Sequence, residues 1–312
     1  MVKNLTVSSS PHVRTARSTR SIMQEVCLAL APAGIAGIVL FGWNALAIIV
    51  TSVLSCVVSE YLFQRITHQK ILIGDWSAVV TGLLLAYNIP ADAPLWLPLI
   101  GGFLAIVLVK QLFGGLGGNF MNPALTARAI LFVSWSGIMG HYPMTRFMTD
   151  TTTGATPLAI LAEGNSVSIM DLLIGNCGGV LGETCKIAII LGGVYLIIRG
   201  IVDWRIPVTF IGAAFIAYLI QDGFDMALMQ ILSGGLMLGA FFMATDYVTC
   251  PMSGLGRVIY GIGCGILLFV IRSYASYVEG CSFAILFMNV MTPLIDRFTA
   301  GKLFGEVKKA RG

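Results

Sequence analysis

Apolar runs recur along the chain from residue 22 onward, separated by short polar or glycine-rich breaks. They fall at about 22–42, 44–63, 76–90, 95–113, 123–139, 185–199, 206–221, 225–243, 257–274 and 279–296. A straight helix needs roughly 20 apolar residues to cross a bilayer. The pattern therefore predicts an all-α, polytopic membrane protein with about ten transmembrane helices. Several runs are short and carry Gly or Pro, and such broken helices are tolerated only where protein or a cavity surrounds them. The expected organisation is a cytoplasmic tail (1–21), a first membrane bundle of five spans (22–139) and an outer loop (140–184). A second bundle of five spans (185–296) and a cytoplasmic tail (297–312) complete it.

Composition agrees with this reading. Of 312 residues, 57% are hydrophobic and 11% charged, against about 25% charged in ordinary soluble domains. The polar start, with Arg14, Arg17 and Arg20, lacks a small-residue cleavage site after the apolar stretch. It reads as a tail before a retained span, not a targeting peptide. Of the 19 Lys and Arg residues, all but Arg146, Lys186 and Arg272 fall on the cytoplasmic side when both termini are inside; Lys110 and Arg128 are counted there. That bias has the direction the positive-inside rule requires. It puts 140–184 outside. No basic stripe alternates with exposed aromatics, so nucleic acid is not an expected partner.

The seven cysteines contain no C-x-x-C pair, and His12, His68 and His141 are scattered. No iron–sulfur, haem or zinc site follows, and no metal is expected. The glycines of 114–118 lack the strand, spacing and Lys or Ser/Thr of a phosphate loop. Asn122 with Pro123 reads instead as an N-cap and first helical residue. Phe120-Met121-Asn122 recurs as Phe287-Met288-Asn289. The recurrence raises an inverted repeat of five plus five spans, an arrangement that builds central sites at the repeat interface.

The outer loop holds Asp150-Thr151-Thr152-Thr153-Gly154-Ala155-Thr156-Pro157-Leu158. As bare residues this is a polar turn. It resembles, however, the [Ser/Thr]-Gly-Ala-Thr flavinylation motif of a membrane family. That family includes the D subunit of the Rnf ferredoxin:NAD oxidoreductase complex and the B subunit of the sodium-pumping NADH:quinone reductase. Three further stretches are similar to the same family. They are Gly114 to Ala124; Ala244-Thr245-Asp246 with Gly256-Arg257 and Gly261; and Glu279-Gly280 with Phe283-Ala284, Met288-Asn289 and Pro293 to Asp296. The short tail ahead of the first span resembles the Rnf member.

The resemblance implies a membrane electron-transfer subunit of an ion-translocating complex, not catalytic alone. It implies FMN joined as a phosphoester to Thr156 by a flavin transferase, and room for a second, non-covalent flavin such as riboflavin. Partner Rnf subunits, membrane lipid and Na⁺ or H⁺ are implied with it. Polar groups within a membrane protein are functional candidates. Asn119, Asn122, Asp246 and Asn289 are accordingly candidate contacts for the second flavin or the ion. Span pattern alone leaves a rival open: an inverted-repeat channel or transporter for small solutes.

Overall fold

A computed structural model describes residues 17–147, 156–275 and 279–300. Asp150 to Ala155, residues 1–16 and 301–312 of the two tails, and with the latter the basic cluster Lys308, Lys309 and Arg311, lie outside the described residues. Among the latter the architecture is entirely helical, as expected from the sequence. The principal helices are α1 (Thr19–Phe41), α2 (Trp43–Ile66), α3 (Ser77–Ala86), α4 (Trp96–Gln111) and α5 (Pro123–Ser134). Two short helices follow Thr156, α6 (Pro157–Ala162) and α7 (Ile169–Ile174). Then come α8 (Lys186–Ile198), α9 (Arg205–Asp222), α10 (Phe224–Leu232), α11 (Leu236–Met243), α12 (Gly254–Tyr274) and α13 (Cys281–Thr299).

Each predicted apolar run falls on a helix or a broken helix pair. Among the described residues four helices (α1, α2, α12 and α13) are long and apolar enough to cross a membrane, and the α10–α11 pair, bent by 67°, makes a fifth if it is one broken span. α3, α4, α5 and α8 are shorter apolar helices. The distribution of residue types is that of a protein solvated by lipid. Along α2, Ser52, Ser55, Cys56, Glu60 and Gln64 are buried, while Val50, Leu54, Val58 and Leu62 face outward. A water-soluble bundle would reverse that arrangement.

Small residues let helices close on one another. Gly82 of α3 lies against the Val53 backbone of α2, where an added Cβ would sit 2.7 Å from Val53 Cα. Gly192 of α8 lies against the Ala29 carbonyl of α1. Within the first half α2 packs on α3 and α4; within the second, α9 packs on α10 and α12. The halves meet where α1 faces α8 and α5 faces α13. The shared Phe-Met-Asn tripeptide does not mark equivalent places, however. Asn122 caps α5 from outside, whereas Asn289 lies inside α13.

Helix alternation sets two ends. The base collects residues 67–76, 112–122, 199–204 and 244–253, tied by Glu25–Arg199 and Asp203–Arg257 ion pairs. The top collects Thr156, the 175–185 connection and Glu279. There the chain after α3 leaves the helix, and Gly182 N–H donates to the Tyr87 carbonyl at 3.0 Å. A non-helical segment is thereby satisfied inside the protein.

Candidate functional site

Thr156 is the cap of α6. Its backbone is extended, and its Oγ1 accepts from Ala159 N–H at 3.2 Å. Pro157 occupies the first helical position, where a missing N–H costs nothing. Leu158 and Leu161 anchor α6 in the core. The Thr156 side chain is half-buried and borders a small cavity of about 20 Å³ shared with Gly178, Gly179, Glu183, Thr184 and Glu279.

Behind that cavity lies a network of charged groups that no motif or spacing along the chain brings together. Arg128 of α5 donates to Glu279 and Ser282. Lys186 of α8 donates to the carbonyls of Glu183 and Gly234. Arg272 of α12 donates to the carbonyls of Gln230 at 2.9 Å and Ser233 at 3.1 Å. The carbonyls at and just past the C-terminus of α10, where the helix breaks at Ser233–Gly235, thus meet two cations, the charge a helix C-terminus favours. Arg128 is therefore not an inner-face topology charge, contrary to the expectation from the charge bias. It is buried and tied to the top. Lys110 is likewise buried, so neither can be read as a surface cation.

The base holds a larger cavity, about 90 Å³, between α1, α3, α4, α8 and the 244–248 connection. Leu84, Leu196 and Phe242 give it apolar walls; Ser77, Lys110, Asn119, Asn122, Thr245 and Asp246 give it polar edges. Three of the four sequence-predicted contacts (Asn119, Asn122 and Asp246) meet here. Asn122 Oδ1 caps α5 by accepting from Ala124 and Leu125 N–H at 3.0 and 3.3 Å, and its Nδ2 donates to the Met243 carbonyl at 3.2 Å. The cap thereby ties one half of the bundle to the other. Burial raises the Asp246 carboxyl above its ordinary pKa, against N–H and hydroxyl donation from Val248 and Thr249. Asn289 is not in this group: it accepts from Tyr260 OH at 2.6 Å between α12 and α13. Thr156 stands at the opposite end.

Sequence reading missed Lys110, which bridges Glu60 and Ser77 at the cavity edge. A lysine inside an apolar run was its available signal. The turns at Leu104–Gln111 and Gly239–Met243 are π-helical, and both end at this cavity. Such widened turns occur often at functional sites. Apolar walls with a few polar groups at the edge suit a planar ring with a polar rim. Among the described residues, no group of three or more His, Cys, Asp or Glu is placed to hold a metal.

A profile of the NQR2, RnfD, RnfE family matches residues 6–305. The chain is 50% identical to the D subunit of the Na⁺-translocating ferredoxin:NAD⁺ oxidoreductase complex of Acetobacterium woodii, over 98% of this chain and 96% of that one. It is 41% identical to the D subunit of the proton-translocating ferredoxin:NAD⁺ oxidoreductase complex of Clostridium ljungdahlii, covering 97% of each chain. It is also 35% identical to the D subunit of the ion-translocating oxidoreductase complex of Alcanivorax borkumensis, covering 99% of each.

Proposed function

The chain belongs to the NQR2, RnfD, RnfE family, and from that premise we propose that it is the membrane electron-transfer subunit of an ion-translocating ferredoxin:NAD oxidoreductase complex. FMN is joined by phosphoester to Thr156, and electron flow is coupled to movement of Na⁺ or H⁺. The observation that carries this reading is the 50% identity to the D subunit of such a complex over 98% of the chain. The rival reading, an inverted-repeat channel or transporter for small solutes, draws no support from the relatives' names.

The geometry supports two separate flavin stations. At the top, Thr156 is half-buried at the start of a short helix, and Gly178 and Gly179 line the same small cavity. At the base, a second, non-covalent flavin would be held by the apolar walls of Leu84, Leu196 and Phe242, with Asn119, Ser77 and Asp246 at its polar edge. A bound flavin supplies one- and two-electron redox chemistry; the protein supplies position, electrostatics and exclusion of water. The remaining complex subunits deliver and accept the electrons, a flavin transferase attaches the FMN, and the whole works in the bacterial cell membrane with both termini in the cytoplasm.

The test is flavin fluorescence of the denatured band. It should be present in the native chain, absent in Thr156→Ala, retained in Thr153→Ala and partly retained in Thr156→Ser. Persistent fluorescence in Thr156→Ala would put the tether elsewhere. Reporter fusions within 145–180 should read outside, and fusions after Lys70 and at either terminus should read cytoplasm.

A further inference from the structure

Glu183 is a carboxylate without a countercharge in contact. It is 4% exposed. Its Oε1 accepts one long hydrogen bond, from Val180 N–H at 3.4 Å, and its Oε2 has no hydrogen-bond partner. The next residue repeats the pattern: the Thr184 hydroxyl is 2% exposed and also unpartnered. Both residues line the 20 Å³ cavity beside Thr156. Nearby cations are committed elsewhere. Lys186 is spent on backbone carbonyls, Arg272 on the end of α10, and Arg128 on Glu279. Among the described residues, no cation lies at ion-pair distance from the Glu183 carboxylate.

A buried charge left in this condition costs several kcal/mol. Something small must neutralise it. The cavity's volume is about that of one water-sized occupant. Gly234 forms part of its wall, and a Cβ on the next residue, Gly235, would sit 2.8 Å from Glu183 Oε2. The helix break at Ser233–Gly235 thus brings bare backbone up to the carboxylate.

We propose that Glu183, with the Thr184 hydroxyl, forms a site that holds one exchangeable small monovalent cation, H⁺ or Na⁺, at the top of the bundle. Binding itself stands on this geometry; only the inference that the cation belongs to the transported stream rests on the ion-translocating reading above. The groups facing Glu183 support it. Burial and then the Glu279 carboxylate raise its pKa, to about 8, while Lys186 and Arg128 work the other way. Glu279 is itself disfavoured by burial, but Arg128, a hydrogen bond with the Glu183 carboxyl and then Arg272 hold it low, so of the two carboxyls Glu183 takes the proton and can share it with Glu279. Cys177 and Tyr142 also lie near and stay neutral, since burial pushes both upward. Three cations surround the pair, which favours the bare proton over a hydrated ion.

The experiment is infrared spectroscopy of the purified complex in lipid, titrated with pH in choline chloride and again with NaCl added. A protonated-carboxyl C=O band should weaken as pH rises, by about tenfold in occupancy per pH unit above its midpoint. The band should vanish in Glu183→Gln and move in frequency and midpoint in Glu183→Asp. Loss of the band on adding NaCl at fixed pH identifies a Na⁺ site; indifference to NaCl identifies a proton site. The absence of any carboxyl band that responds both to pH and to substitution of Glu183 overturns the proposal. Denatured-band fluorescence of the same sample reports the Thr156 tether independently, so failure of either idea is recognised separately.

Discussion

At the base of the bundle, Glu60 is 1% exposed and every need of its carboxylate is met. Lys110 Nζ reaches both oxygens at 2.9 Å, and Gln111 and Gln64 amides add bonds at 2.8 and 3.2 Å. At the top, Glu183 is almost as deeply buried and has one long bond. Burial is alike in the two places, and the difference lies in what the chain spends on the charge. At the base the cation is built in, and it carries Ser77 with it at 2.6 Å. At the top Lys186 and Arg272 stabilise a broken helix and Arg128 pairs with Glu279, and the Glu183 carboxylate is left for a mobile partner. A buried acid is thus no sign of an ion site until its partners have been accounted for.

That contrast is easiest to break by removing partners. Lys110→Met should strand Glu60 and cost about 3–5 kcal/mol, read as loss of the assembled subunit or a large fall in thermal unfolding temperature. Glu183→Gln should cost under about 1 kcal/mol in the same assay, since no charged contact is lost. Equal penalties would show that the two acids are held in the same way. Ser77→Ala should follow, at about 1.5–3 kcal/mol, because it deletes a hydrogen bond to a charged group. Asn122→Ala removes a cap and the bond to Met243; a cost of about 1 kcal/mol is expected. Non-covalent flavin should bind more weakly to that variant, while fluorescence of the denatured band stays unchanged.

The smallest effect belongs to the exposed rim of the base. Burial disfavours the Asp203 charge, but the Arg205 N–H and the Arg257 guanidinium more than offset this and hold its pKa below the usual carboxylate value. Its contribution is present above the ordinary carboxylate pKa and is lost as pH falls through the lowered one. Because the pair is partly solvated, Asp203→Asn should cost under about 1 kcal/mol, and the difference from wild type should vanish in acid. A pH-independent difference in unfolding temperature would contradict the ion pair as its source.

Much of this frame is legible in the sequence because it is local. Apolar runs locate the helices, and Asn122-Pro123 announces the start of α5 with its cap. Ser233-Gly234-Gly235 inside an apolar run is a readable break, yet by hydropathy alone 225–243 reads as a single span. The charge network is not legible. Arg128, Glu183, Arg272 and Glu279 come from separate helices and connections, and no spacing along the chain links them. Arg128 and Lys110 look like span-end cations in one dimension; only packing shows that each faces a carboxylate. Asn289 fails to join Asn122 for the same reason: a shared tripeptide determines neither its place in the helix nor its neighbours.

Intact mass decides whether Thr156 carries a flavin. The purified chain, freed of non-covalent ligands by denaturation, should exceed its calculated mass by one FMN less one water. Fragmentation should place the increment on Thr156, and Thr156→Ala should return the chain to its calculated mass. An unmodified mass in the native chain, from cells that hold the flavin transferase, would contradict the account.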